Sequence, residues 1–432
     1  MTSETHETER TELIQTIEDF LKPALHALEP EPATGVRGRP RILPAVALWA
    51  GILVCVVRGF SSQLELWRLL NAKGLWDFPR FGVSDDAIYT RLQHLDRDTF
   101  KRLFAQVTQL VRQRLPPQPN YLGQLASFAT GVYALDGTTL DKVCKHLPSL
   151  RKRSEEVILP GKLAAVFDLR AQVWRTVEFV ADAQQNDKVA ARTLLTGLEA
   201  GSLLLADLGY FAFEWFDDLT RQGFFWVSRL RAKTSFEVIH RLYAAPGVSD
   251  AIVWLGKYRA DRAAYAVRLV QLTQHGKTWM YLTNVLDPRL LPLSDIARLY
   301  ARRWDIERMF DLVKTHLHLH LLWSGHVTVI LHQVWAVFTV AQIILGMRAD
   351  IAARAQADLE EVSLDLLIRW LPRFAEDGQD PVQLIVERGR QVKIIRPVHR
   401  VQLSLPDPAI TDYLSLPENA PLTRVPRYAN KD

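Results

Sequence analysis

The chain of 432 residues has two cysteines, Cys55 and Cys144, and four methionines. Two thiols exclude a disulfide scaffold and leave no cysteine-based zinc pattern, a usage that fits a reducing cytoplasm. No charged segment followed by an apolar one opens the chain, so no secretory signal is expected. Clean membrane-length apolar runs are missing too. Ile42 to Val57 holds 16 residues with Pro44 inside, and Val327 to Met347 holds 21 but includes His332, Gln333 and Gln342. A bilayer span needs about 20 apolar residues, so both runs read as buried helices and no membrane partner is expected. Internal repeats and low-complexity tracts are absent.

What is present is an ordinary globular composition, 48% hydrophobic and 23% charged. The length suits two to four domains. The net charge is only +5, but it is unevenly spread. Residues 1–35 hold eight acids and two bases, a balance of −6, which leaves +11 on the rest. A basic body with an acidic arm points to a polyanion such as nucleic acid, or to an ordinary basic protein.

Glu12 to Leu28 has helical periodicity, stopped by Pro30 and Pro32. The strip Arg37-Gly38-Arg39-Pro40-Arg41 suits either a narrow minor groove or a charged linker. Residues 42–115 read as all-helical. Within them Ser84 caps a short helix carrying Tyr89 and Arg91, which reads as a helix-turn-helix element or as a bundle helix. Pro116, Pro117 and Pro119 mark a boundary.

From residue 131 strands alternate with helices. Gly131–Leu135 ends at Asp136, Leu163–Phe167 and Trp174–Val180 follow at hairpin spacing, and Leu203–Ala206 ends at Asp207. Helices are predicted over Asn186–Leu198 and Phe211–Leu219, with a strand at Phe224–Leu230. Residues 231–290 are strand-rich, and one strong helix is predicted from Ser294 through Lys314. Three antiparallel strands followed by helix-linked parallel ones describe a mixed α/β sheet. Residues 327–380 read as two or three helices, and the tail from Gln391 as basic and extended.

Carboxylates at strand ends are costly as core residues and useful at the carboxyl edge of an α/β sheet. Asp136 and Asp207 are such residues, each followed closely by a glycine (Gly137, Gly209). On a helix at ~100° per residue, Tyr300, Arg303, Glu307 and Lys314 fall within about 60° of arc. That stripe is either a charge ladder or a third carboxylate flanked by cations. Three carboxylates around one point require a cation, and Mg²⁺ is the hard ion that such donors hold while leaving room for phosphate. Asp311, one turn after Glu307, is a competing ligand. His316 and His320 share a face on a continuing helix, as a zinc pair or a solvated helix end. Lys142, Lys145, His146, Arg151, Lys152 and Arg153 form a basic cluster after Asp136.

The segment from Tyr300 to Lys314 resembles the Tyr-x₂-Arg-x₃-Glu-x₆-Lys signature of bacterial insertion-sequence DDE transposases. Leu135-Asp136-Gly137-Thr138, Ala206-Asp207-Leu208-Gly209-Tyr210-Phe211 and Tyr281-Leu282-Thr283-Asn284-Val285 resemble the family's other segments. The resemblance covers roughly residues 130–340. It implies an RNase H-like core with a β-rich insertion, beside an all-helical N-terminal region. It implies Asp136, Asp207 and Glu307 as catalytic ligands of two Mg²⁺ ions, with Mn²⁺ as a substitute, and Tyr300, Arg303 and Lys314 as contacts to transposon-end DNA. A tryptophan of the insertion, Trp279 or alternatively Trp254, would stack on a flipped base or simply fill the sheet core. Arg37, Arg39, Lys142, Lys145, Arg151, Lys152 and Arg153 complete the expected DNA-binding set.

The expected organisation is an acidic arm (1–35), a helical DNA-binding and dimerisation region (36–120), a catalytic core (121–230 with 291–345), a β-rich insertion (231–290) and a C-terminal helical region with basic tail (346–432). The expected protein is a cytoplasmic, nucleoid-associated homodimer on double-stranded DNA, binding terminal inverted repeats and target. A metal-dependent nuclease or resolvase of the same fold, or an inactive DNA-binding protein, are the alternatives.

Overall fold

A computed structural model describes residues 25, 42–72, 74–75, 78–115, 122, 124–139, 161–180, 185, 187–257, 261–274, 276–376, 380–398 and 405–428. The acidic arm apart from Leu25, the Arg37–Arg41 strip, the three linker prolines and the Lys142–Arg153 cluster lie outside the described residues.

Among the described residues from 42 onward, four helices precede the sheet: α1 (Ala45–Val57), α2 (Gln63–Ala72), α3 (Asp85–Gln93) and α4 (Thr99–Arg114). The Ser84 hydroxyl caps α3 by accepting from the Ala87 N–H at 3.3 Å. Arg91 of α3 donates to the Leu43 carbonyl, while Ile88 and Leu92 are buried. The arginine is therefore tied inward, as in a bundle helix, rather than presented to a groove.

Nine strands form one sheet in the order β3-β2-β1-β4-β5-β9-β8-β7-β6. The strands are β1 (Val132–Thr139), β2 (Lys162–Asp168), β3 (Val173–Val180), β4 (Leu203–Ala206), β5 (Phe225–Arg229), β6 (Phe236–Ala245), β7 (Val248–Leu255), β8 (Val267–Gln274) and β9 (Lys277–Thr283). The β1–β2–β3 meander is antiparallel, and β1, β4 and β5 are parallel. The expected mixed α/β class holds. Strand β1 does not stop at Asp136: it runs on to Thr139, with Asp136 paired to Ala165. The strand-rich stretch after β5 extends the same sheet, because β9 pairs antiparallel with β5.

Helices α5 (Asp187–Leu195) and α6 (Phe213–Arg221) cover one sheet face through Ala191, Leu194, Trp215 and Phe216. The other face packs on the larger core, which merges α1–α4 with α7 (Leu293–Ala301), α8 (Trp304–Asp311) and α9 (Val327–Arg354). Helix α9 is long and apolar enough to cross a membrane, but 83% of its most apolar window is buried inside the protein. Its two buried glutamines are satisfied there, whereas neither ring nitrogen of the buried His332 has a hydrogen-bond partner. The Gln342 side chain accepts from the Trp174 N–H and donates to the Trp174 carbonyl, both at 3.0 Å. Gln333 does likewise for the Trp323 N–H and the Leu321 carbonyl, at 3.0 and 2.7 Å.

After α10 (Leu364–Glu376) and α11 (Pro381–Arg388), the tail expected to be extended from Gln391 instead opens in turns, with Gln391 and Val392 donating to the Arg388 carbonyl, and is anchored at Ile394 and Ile395, both buried. Residues 405–428 then run as a strap over the insertion. Leu414 donates to Leu242 of β6, and Tyr428 donates to the buried Asp217, which also accepts from the Ala264 and Tyr265 N–H groups.

Candidate active site

The sheet register builds the first part of the site. Parallel pairing sets Leu135 opposite Ala206 and Leu205 opposite Val227, and β5 sets Arg229 opposite Tyr281. One residue beyond the first pair Asp136 therefore neighbours Asp207, and two residues beyond the second Asp207 neighbours Arg229. Alternation places all four side chains on one face. Ala134, Leu205 and Val227 point into the larger core, whereas Leu135, Leu204, Ala206 and Trp226 point to the opposite face. The result is a row, Asp136–Asp207–Arg229–Tyr281, running across four strands towards α7 and α8.

Both aspartates are held by local backbone. An Asp136 oxygen accepts from the Gly137 N–H at 2.8 Å. Asp207 caps a single 3₁₀ turn, Leu208–Tyr210, accepting from the Gly209 N–H at 2.6 Å. Burial pushes the Asp136 carboxyl up to about 7; Gly137 and Arg303 oppose the rise, and the charges of Asp207 and Glu307 add to it.

The segment carrying the second part is not the single helix that periodicity predicted. Helix α7 ends at Ala301 and α8 begins at Trp304. Between them the N–H groups of Arg302, Arg303 and Asp305 bond three residues back, to Leu299, Tyr300 and Arg302. This tightened turn re-aims the chain. Beyond α8 the ladder widens into a π turn, Leu312–His316. Side-chain spacing alone cannot register either change, because both lie in the backbone hydrogen bonds.

Of the four signature side chains, Arg303 contacts Asp136 directly and Glu307 contacts Arg303, while Lys314 reaches β1 and Tyr300 packs on Tyr281. The Arg303 guanidinium contacts a Glu307 oxygen at 2.6 Å through Nη2 and an Asp136 oxygen at 3.7 Å through Nη1. Arg303 is 6% exposed, and its Nε and Nη1 have no hydrogen-bond partner. The guanidinium lies 5.9 Å from the Tyr300 ring centre and 5.2 Å from that of Trp304. Tyr300 is buried against Tyr281, with ring centres 5.4 Å apart. Lys314 reaches the end of β1, donating to the Thr138 hydroxyl and, at 3.1 Å, to the Thr139 carbonyl.

The competitors resolve geometrically. Asp311 is turned away, 65% exposed and bonded to the Thr315 hydroxyl. The helix ends at His316, so His316 and His320 do not share a face. His316 lies 3.2 Å from Asp365, and His320 bonds the Lys314 carbonyl. Trp254 is excluded as a stacking platform, being buried with the Arg424 guanidinium 4.5 Å over its ring. Trp279 is partly exposed and, two residues from Tyr281 on β9, lies on the face of the carboxylate row. Arg37, Arg39, Lys142, Lys145, Arg151, Lys152 and Arg153 lie outside the described residues.

Sequence reasoning missed two residues here. Arg229 is exposed at the end of β5, and its only sequence signal was a base closing an apolar strand beside the Asp207 strand. Trp304 is 58% exposed next to Arg303, an unusual exposure for so large an apolar ring.

Three carboxylates offer the hard oxygen donors that a divalent ion takes. Among the described residues no three His, Cys, Asp or Glu side chains are gathered closely enough to chelate an ion as they stand. The Arg303 guanidinium, a cation, bridges two of the three. The donor set thus fits an ion in chemistry, with an internal positive charge already in contact with it.

Residues 128–336, which carry this carboxylate cluster, match the family described as Transposase DDE domain. Members of that family act with divalent metal ions. The y4zB transposase sequence of Sinorhizobium fredii is 26% identical over 224 residues, 49% of this chain and 59% of that protein. Transposase InsG of insertion sequence element IS4 from Escherichia coli is 22% identical over 241 residues, 54% of this chain and 53% of that protein. The matches thus span somewhat over half the length of these relatives. Among solved structures, the piggyBac transposase synaptic complex with hairpin DNA aligns with 91% of this chain and 84% of that one, at 10% identity and a TM-score of 0.43. The resemblance read from the Tyr300–Lys314 segment is borne out at the level of the family.

Proposed function

We propose that this chain is a DNA transposase that cleaves at the ends of its element and joins them to target DNA, on an RNase H-like core. The observation that carries this reading is the sheet row in which Asp136 and Asp207 are neighbours and are met by Arg303 from the turn before α8 and Glu307 from α8. Asp136, Asp207 and Glu307 would hold two Mg²⁺ ions, or Mn²⁺ in their place. Those ions would supply Lewis acidity at the phosphodiester and lower the pKa of the attacking oxygen.

The chain itself positions and neutralises. Arg303, Arg229 and Lys314 surround the carboxylates with the charge that a phosphate needs. Tyr300 supports the Arg303 guanidinium from beneath. Trp279 offers an aromatic face to an unstacked base. Arg37, Arg39, Lys142, Lys145, Arg151, Lys152 and Arg153 would track the duplex backbone, and the helices of 36–120 would recognise ends and contact a second copy. A homodimer follows from the need to join two ends.

The test is a strand-transfer assay with Mg²⁺ on double-stranded DNA carrying the element's terminal repeats. Joined products are expected, and Glu307→Gln should abolish cleavage and joining while DNA binding is retained. Cleavage without joining would replace this reading with a nuclease.

A further inference from the structure

Arg303 stands in a position that the proposed reaction does not explain. If it served only to bind a phosphate, it would be expected to reach towards solvent. Instead it is 6% exposed and its Nη2 is 2.6 Å from Glu307, with Nη1 3.7 Å from Asp136. Two of its nitrogens, Nε and Nη1, find no hydrogen-bond partner, although burying unpaired donors is unfavourable. The neighbouring charges explain why it stays. Asp136, Asp207 and Glu307 act on one another at this spot, and Arg303 is the cation in contact with two of them. A guanidinium is always charged and forks between carboxylates, which is also what a divalent ion does between them.

We infer that Arg303 is an internal counter-cation that occupies the contact between Asp136 and Glu307 when DNA is absent, so that divalent ion binding and the closed Arg303 position exclude each other. This rests on the reading of Asp136, Asp207 and Glu307 as ion ligands. In the closed state Glu307 is committed to the guanidinium and the three carboxylates are not gathered into a chelate. Opening requires another partner for Arg303, and a DNA phosphate is the anion that matches its fork. The arrangement makes ion loading follow substrate binding, which keeps a hydrolytic centre unformed in the free protein.

A ligand's apparent affinity is reduced by the fraction of protein in the competent state. If about one molecule in ten has Arg303 open, removing the guanidinium should tighten ion binding about tenfold. The experiment is Mn²⁺ binding to the DNA-free full chain, followed by electron paramagnetic resonance and by the shift in melting temperature. The proteins compared are wild type, Arg303→Gln, Arg303→Lys, Glu307→Gln and the double variant Arg303→Gln with Glu307→Gln.

Arg303→Gln should bind Mn²⁺ about tenfold more tightly than wild type and gain more melting temperature from it. Arg303→Lys, which keeps the charge but lacks the fork, should fall between, and it stands in if Arg303→Gln fails to fold. The double variant should lose the gain. Equal or weaker binding by both Arg303 variants, with binding lost in Glu307→Gln, would overturn the counter-cation role and leave the ligand reading intact. Mn²⁺ binding that ignores Glu307 in every background would overturn the ligand reading itself, and this inference with it.

Discussion

The Asp136 carboxyl makes the stability of the fold depend on pH in a particular way. Its pKa rises from an ordinary 3.8 to about 7, mainly because it is buried. That rise corresponds to roughly 4 kcal/mol of preference for the neutral form, an upper bound because solvent and neighbours relax. Below pH 3.8 the carboxyl is neutral in both folded and unfolded chains, and its contribution is fully present. Between 3.8 and about 7 the unfolded chain releases its proton while the folded chain keeps it, so stability falls as pH rises. Above about 7 the full cost applies. Asp136→Asn keeps the shape and an oxygen to accept from Gly137, and removes the charge. Its advantage over wild type should be near zero at pH 4 and grow to roughly 2–4 kcal/mol at pH 8. Urea unfolding with a chelator present, at pH 5, 6, 7 and 8, measures this directly. A difference that stays constant across that range would refute the reasoning, since a shape effect alone has no pH dependence.

Three further outcomes are expected. Gln342→Leu leaves the Trp174 N–H and carbonyl unpaired in the core and should cost about 2–4 kcal/mol in denaturant unfolding. Asp217→Ala removes the acceptor shared by Ala264, Tyr265 and Tyr428, so limited proteolysis should release the 405–428 strap before the sheet opens. Trp279→Ala should slow cleavage at the element's ends by about tenfold, the equivalent of ~1.4 kcal/mol of lost stacking, while non-specific DNA binding is unchanged.

Most of the sheet could be read from apolar runs, because strands buried on both faces have few polar interruptions. Leu203–Ala206 and the β2–β3 hairpin fell within a residue or two of their observed bounds. Strand β6 was missed. It is the sheet's outer strand, Glu237, Val238 and Arg241 on it are exposed, and two register shifts break its alternation. Asp136 and Asp207 could be picked out singly, but their adjacency depends on which strands pair and in what register. The turn at Arg302–Arg303 and the π turn at Leu312–His316 left no trace in side-chain spacing. Arg229 could not be singled out until β5 and β9 were known to be neighbours.

The Gln342 amide has a consequence for assembly. Strand β3 lies at the border of the sheet, where unsatisfied backbone invites a foreign strand. At Trp174 that invitation is already taken up, since the amide mimics the peptide group of a tenth strand. At the opposite border Leu414 of the strap bonds β6 at Leu242. Growth of the sheet from one copy into the next is blocked at both positions. A second copy of the chain would then have to meet this one at these positions through side-chain surfaces, which can separate and re-form without unravelling either core.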